Sequence, residues 1–341
     1  MGKPSTIAFI GRKQGTLHRR AKDFLGQWTL EKPRLYEEEG LAESGLIKSN
    51  DLKTADIVYT RINPEHVNRR CLRRIRNAEK AANPSAKWIN RSDSFEACAD
   101  KIACFQQWQN QGFKCPQFQH WSAWQPRKNI VTAVLKCLKE YPGVYLRTSN
   151  EDSGKGLYFI PQGSSTDYIK GVITKLRFRC LTNRVSGSKI MMVLPINNID
   201  ANGLAHVYRV HFSDSELLGG YAIVSRKSII HASDQSIEDW EEFLQYNQKL
   251  HDIAADTDLK TVLWKAMQAL GLQTAAVEFF YIDGEIHLLE VNPKWGGKHR
   301  FGNAEFTTAL KQSPELSNLP MLNAWLNPRE YYKKLYKALA K

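Results

Sequence analysis

Residues 276–293 constrain the fold of this chain more than any other stretch. They read Ala276-Val277-Glu278-Phe279-Phe280-Tyr281-Ile282-Asp283-Gly284-Glu285-Ile286-His287-Leu288-Leu289-Glu290-Val291-Asn292-Pro293. Two apolar, β-prone runs flank an Asp-Gly turn, which predicts a hairpin. Each arm carries a carboxylate inside an otherwise apolar run, Glu278 in the first and Glu290 in the second. A buried, unpaired carboxylate is costly, so both need compensation, and a bound cation supplies it directly. Glu290 and Asn292 are two positions apart and share one face of their strand. Glu278 joins that face only if the loop has an odd number of residues. A three-residue loop with Gly284 in a left-handed bulge gives that parity, and a two-residue turn does not. Three oxygen-bearing side chains on one face suit Mg2+ that also holds nucleotide phosphates.

The hairpin resembles the metal-binding signature of the ATP-grasp superfamily. In that family two acidic residues about a dozen positions apart, the second in a Glu-x-Asn-Pro run, bridge the Mg2+ ions on ATP. Here the spacing is twelve and the run is Glu290-Val291-Asn292-Pro293. The resemblance implies an α/β (α+β) fold: two α+β lobes clasping ATP, preceded by a small α/β pre-ATP-grasp domain. It implies Glu278, Glu290 and Asn292 as ligands of Mg2+ (or Mn2+), and ATP as the nucleotide. The alternative is an ordinary hairpin with two exposed acids.

At 341 residues with 42% hydrophobic content, the chain has room for a sizeable core or for two to three domains. No apolar stretch approaches the length of a membrane span, so no membrane partner is expected. The N-terminus lacks the apolar core of a signal peptide; its Gly2 and Ser5-Thr6 match a myristoylation pattern only weakly because of Pro4. The cysteines Cys71, Cys98, Cys104, Cys115, Cys137 and Cys180 form no Cys-x-x-Cys pair, and the histidines show no zinc-ligand spacing. A reduced, cytoplasmic setting is the simple expectation.

The net charge of +13 implies attraction to something anionic. Its sharpest cluster is Arg69, Arg70, Arg73, Arg74 and Arg76 on an expected helix over residues 66–81. This cluster is either a solvated face or a docking surface for an acidic or nucleic-acid-linked partner.

Strands are expected at residues 6–10, 56–60 and 88–90, alternating with helices over residues 1–95. That layer is similar to the pre-ATP-grasp domain, after which the family has a helix beginning Asp-Lys. Here the helix starts at Asp100-Lys101, and the resemblance assigns Lys101 to the nucleotide phosphates; Asp100 could equally cap the helix. Residues 145–148 and 157–160 read as strands around the polar loop Ser149-Asn150-Glu151-Asp152-Ser153-Gly154-Lys155-Gly156. Its glycines let backbone N–H groups approach phosphate, so Ser153, Gly154, Lys155 and Gly156 are candidate phosphate contacts. The family's lysine on the preceding strand is matched by Arg147, which keeps the charge with a different shape. Met192, Val193 and Leu194 fall where the family seats adenine, without its usual Gln-Glu pair, which leaves ATP versus another nucleotide open.

Residues 206–212 and 221–224 read as paired strands, similar to the family's arms that each turn an arginine to the reaction centre. Arg209 and Arg226 are the matching candidates. Helices are expected at 240–250, 258–270 and 320–341. The basic glycine-rich loop after Pro293 places Lys294, Gly296, His299 and Arg300 as candidate substrate contacts. Expected domains are 1–95, 96–190 and 191–341. The resemblance implies an ATP-dependent carboxylate–amine ligase acting through an acyl phosphate, of the glutamate-ligase-like branch. A small-molecule or peptide carboxylate and an amine acceptor would be its partners, and a homo-oligomer is a family habit. The competing readings are a degenerate ATP-grasp protein used as a binding module, and an ATP-grasp carboxylase or thiol ligase.

Overall fold

The computed structural model describes residues 7–11, 29–32, 43–46, 49–61, 69–151, 154–182, 187–227, 229–293, 301 and 303–339. A parallel sheet opens the chain: β1 (Ile7–Gly11), β4 (Ile57–Arg61) and β5 (Lys87–Ile89), in the order β1-β4-β5. A small antiparallel pair, β2 (Thr29–Lys32) and β3 (Glu43–Leu46), lies between β1 and β4 in sequence. The amphipathic helix Arg69–Ala81 buries Leu72, Ile75 and Ala78 with Val58, Trp88 and Phe95. Its i, i+3, i+6 spacing is what the sequence pattern demands of one buried stripe. On the same helix Arg73 is exposed, and Arg76 pairs with Glu96 at 2.8 Å. The side chains of Arg69, Arg70 and Arg74 lie outside the described residues.

The middle sheet is antiparallel, in the order β6-β9-β7-β8: β6 (Phe118–Trp121), β7 (Gly143–Thr148), β8 (Leu157–Pro161) and β9 (Ile190–Val193). Helices Arg127–Cys137 and Thr166–Thr182, additional to the expected elements, cover it. Ile130, Val134, Ile169, Ile173 and Leu176 close a core with Val144, Leu146, Ile160 and Met192. The expected boundary at 190/191 falls inside β9, which pairs on both sides within this sheet.

The last sheet has the order β11-β10-β12-β13: β10 (Ala205–Ser213), β11 (Glu216–Ser225), β12 (Thr274–Ile282) and β13 (Glu285–Asn292). Tyr208, Val210 and Phe212 alternate into a core with Leu250, Leu263 and Met267 of helices Trp240–Ala255 and Thr257–Gln268. A second core gathers Val207, Tyr221, Phe301, Phe306, Trp325 and Tyr331. The single C-terminal helix expected at 320–341 is instead two, Pro320–Leu326 and Pro328–Leu339. Pro328 lacks an N–H and biases Asn327 to an extended conformation, so the first helix ends there and the second starts.

Candidate active site

The hairpin β12–β13 closes differently from expectation. Ile282 pairs with Glu285, which leaves Asp283 and Gly284 as a two-residue turn. Their φ values are +51 and +82, the left-handed pair of a type I′ turn. The three-residue loop does not form, and a regular ladder would then send Glu278 and Glu290 to opposite faces. The ladder is not regular: Phe279 faces Leu288 while Glu278 faces Glu290, so Leu289 is an extra residue in β13. This β-bulge restores the parity that the turn does not supply.

One row of side chains therefore runs across the sheet. Tyr221 of β11 faces Arg209 of β10, Arg209 faces Glu278 of β12, and Glu278 faces Glu290 of β13. Arg209 Nη1 lies 3.0 Å from Glu278 Oε1 and donates to Tyr221 Oη at 3.5 Å. Asn292 Nδ2 donates to Glu278 Oε1 at 3.3 Å. Burial alone would lower the pKa of Arg209, but Tyr221, Glu278 and Glu290 outweigh it and hold the guanidinium firmly charged.

Lys101 reaches the far end of this row, with Nζ 3.4 Å from Glu290 Oε1. Its helix, Lys101–Asn110, starts where Asp100 accepts the N–H of Ile102 at 3.0 Å, so Asp100 is the cap. The same helix is fixed to the last lobe. Trp108 Nε1 donates to the carbonyl of Ala266 at 2.8 Å, and Gln107 Nε2 to that of Ala269 at 2.7 Å.

The flap between β7 and β8 meets Lys101 from the other side. Arg147 Nη2 and Lys101 Nζ donate to the same carbonyl oxygen, that of Glu151, at 2.7 Å and 3.1 Å. Gly154 and Gly156 have φ of +70 and +62. A Cβ on Gly154 would sit 2.9 Å from Nε2 of His231, and one on Gly156 would run into the Glu151 carboxylate. Both glycines thus have a packing reason as well as a conformational one. Lys155 is exposed, and Ser153 lies outside the described residues.

Other expected residues are placed apart from the row. Arg226 follows the end of β11, donates to the carbonyl of Asn202 at 2.9 Å and pairs with Asp239 at 3.3 Å. Arg209 faces Tyr221 in register, so Arg226 lies beyond the end of that ladder and not beside the carboxylates. Met192 is wholly buried in the middle core, because strand alternation turns Met191 to the last lobe and Met192 away from it. Its side chain has no surface to offer a nucleotide. Val193 and Leu194 are half-buried, and the N–H of Leu194 is bonded to the carbonyl of Gln117 at 2.9 Å. Lys294, Gly296, His299 and Arg300 lie outside the described residues. Tyr221, Thr148 and Arg179 join the site without having been expected there. For Tyr221 the signal was its place in the strand opposite Arg209, whereas nothing local in the sequence points to Arg179.

The donor set fits a hard divalent cation. Glu278 and Glu290 stand directly opposite each other on neighbouring strands, where like charges repel, and the described partners that offset them are Arg209 and Lys101. Two carboxylates with a carboxamide present oxygen donors only, the chemistry of Mg2+ or Mn2+ and not of zinc. Among the described residues no group of three or more His, Cys, Asp and Glu side chains could hold a metal; the third member here is an asparagine.

No family profile matches the sequence, and no curated protein does. Solved structures do match in shape. D-alanyl-alanine synthetase A from Vibrio cholerae superposes with a TM-score of 0.53 over 100% of this chain and 99% of its own, at 11% identity. The D-alanine-D-alanine ligase from Coxiella burnetii gives 0.51 over 98% of both chains at 10% identity. D-cycloserine synthetase gives 0.50 over 87% of both at 12% identity. Over essentially its whole length, the chain has the ATP-grasp fold.

Proposed function

We propose that this chain is an ATP-dependent ligase that joins a carboxylate to an amine and releases ADP and phosphate. The observation that carries the reading is the in-register row Arg209–Glu278–Glu290, with Lys101 on Glu290 and Asn292 on Glu278. Glu278, Glu290 and Asn292 would hold Mg2+. Bound there, Mg2+ would neutralise and orient phosphate oxygens.

The chain's own groups do the rest by charge and position, since phosphoryl transfer needs little covalent help from protein. Lys101 and Arg147, which converge on one carbonyl oxygen, bind the phosphate chain of ATP. Backbone N–H groups of Gly154 and Gly156, with Lys155, cover it from the flap. Val193 and Leu194 line the base side. Arg209 offsets the charge that builds as the substrate carboxylate takes the γ-phosphoryl group, and again when phosphate departs from the acyl phosphate. The closed flap keeps water from the acyl phosphate until the amine attacks. The basic segment of Lys294, Gly296, His299 and Arg300 follows Asn292 closely in the chain and would meet the carboxylate or amine substrate. Arg226, held by Asp239, takes no part.

The test is ADP release with pooled amino acids, peptides and small acids, followed by mass spectrometry of the product. Glu290→Gln should abolish ADP formation while the circular dichroism spectrum stays that of the parent. Full turnover by a folded Glu290→Gln protein would overturn the assignment.

A further inference from the structure

The two cations assigned to the phosphate chain are not set by their own elements alone. Lys101 enters from the start of a helix and Arg147 from β7. What joins them is the backbone carbonyl of Glu151, which accepts from Arg147 Nη2 at 2.7 Å and from Lys101 Nζ at 3.1 Å. That carbonyl is held in turn by its own side chain. Arg179 of the helix Thr166–Thr182 grips the Glu151 carboxylate with both arms of the fork, Nε to Oε2 at 2.8 Å and Nη2 to Oε1 at 2.7 Å. Thr148 Oγ1 donates to Oε2 at 2.6 Å. Gly156 closes over this group, and any larger residue there would collide with the carboxylate. The carboxylate is well out of solvent, with 16% of the side chain exposed. Burial would raise its pKa, but Arg179 and Thr148 hold it below the ordinary value.

A bidentate guanidinium–carboxylate pair is a geometric device as much as an energetic one. Arg179 sits on the helix Thr166–Thr182, and its bonds go to the Glu151 carboxylate and not to the carboxylate row. Its grip fixes one peptide unit, and that unit fixes two cations on different elements. Lys101 has three donors; the Glu151 carbonyl takes one and Glu290 another.

We propose that Glu151, clamped by Arg179 and Thr148, is a positioning residue for the phosphate site. Its carbonyl sets the spacing of Lys101 and Arg147 before nucleotide arrives, so the clamp acts on the phosphate chain and not on the base. This rests on the reading of the site given above. It also accounts for Gly156 as the cover of the clamp, in addition to any contact of that glycine with phosphate.

The experiment compares binding of ATP and of AMP to the whole chain by titration calorimetry with Mg2+ present, for the parent, Glu151→Gln, Arg179→Met and the double variant. Loosening the clamp should weaken ATP about tenfold, the scale of one well-aligned hydrogen bond to a charged group. AMP affinity should hold within about twofold. The double variant should lose no more than either single one, because both remove the same clamp. Arg179→Lys, which keeps the charge without the fork, should recover only part of the loss. Equal losses for ATP and AMP would make the clamp a general structural tie and overturn the proposal, as would unchanged ATP binding in folded Glu151→Gln protein. If the parent itself binds no ATP, the functional reading fails first and takes this inference with it. If Glu151→Gln does not fold, the Arg179→Lys comparison carries the same ATP-against-AMP contrast.

Discussion

At the scale of single residues, chemistry that departs from the expected pattern is where the physics shows. His206 of β10 is 6% exposed, and its ring stacks on Tyr246 with centroids 4.8 Å apart. Neither ring nitrogen makes a well-formed hydrogen bond. Burial, helped by Lys249, pushes its pKa down to about 4 against Asp200 and the nearby backbone. The folded-state value lies below the ordinary 6.5, so its contribution to stability is complete above pH 6.5 and is lost as pH falls towards 4. His206→Phe keeps an aromatic ring and removes the proton. The stability of the parent, read from denaturant unfolding, should therefore fall more steeply than the variant's across that window, by a difference on the order of 3 kcal/mol. Parallel curves would refute this account. Lys101 and Glu290 were legible in the sequence because motif spacing marks such residues. His206 was not, because its state depends on Tyr246 and Phe280, which arrive from other elements.

At the scale of elements, the hairpin shows how the expected facing of three side chains can arise from a loop other than the expected one. The sequence pattern required Glu278, Glu290 and Asn292 on one face, and they share it. The expected means was an odd loop, and the observed means is an even turn with a bulge at Leu289. Local sequence carries the Asp-Gly turn signal strongly. It carries the bulge weakly, because Leu288-Leu289 reads as uninterrupted strand. Deleting Leu289 should make the ladder regular and keep Glu290 and Asn292 facing Glu278, because the residue removed is the one the ladder skips. The deletion variant should retain its β signal by circular dichroism and lose ADP release by less than about 100-fold, below the scale of removing one charge-stabilising group from such a site. A larger loss in the folded variant would show that the site depends on more of the bulge than the facing it restores. The two helices on the middle sheet teach a different lesson. Ile169, Val172, Ile173 and Leu176 have plain helical spacing, so that element is legible in the sequence without any motif.

At the scale of the whole molecule, Asn90 is one of the residues that tie the first lobe to the last, beside the shared core of Ile57, Tyr59 and Ile89 with Val207 and Tyr221. Asn90, with φ of +59, follows β5 and bonds to the start of β12. Its Oδ1 accepts from the N–H groups of Gln273 and Thr274 at 3.0 and 3.1 Å, and its Nδ2 donates to the carbonyl of Thr274 at 2.7 Å. The helix of Lys101 lies just beyond this join, so its placement against Glu290 depends on the docking of separate sheets. No local pattern could have disclosed that. The motif spacing did disclose that the sheets belong to one fold, since a family resemblance orders distant segments without stating their contacts.

The contact between Lys101 and Glu290 has a consequence for binding order. Two cations and two carboxylates already balance across the row, so a divalent ion arriving alone displaces attraction that the carboxylates already have. A triphosphate arriving alone does the same to the cations. Arriving together, each gives the other's former partner a new counter-charge. Nucleotide and Mg2+ should then show positive heterotropic linkage, each raising the other's affinity by the same factor, as thermodynamic reciprocity demands. Calorimetric titration of each in the absence and presence of the other measures that factor, and a value of one would mean that the row is indifferent to who fills it first.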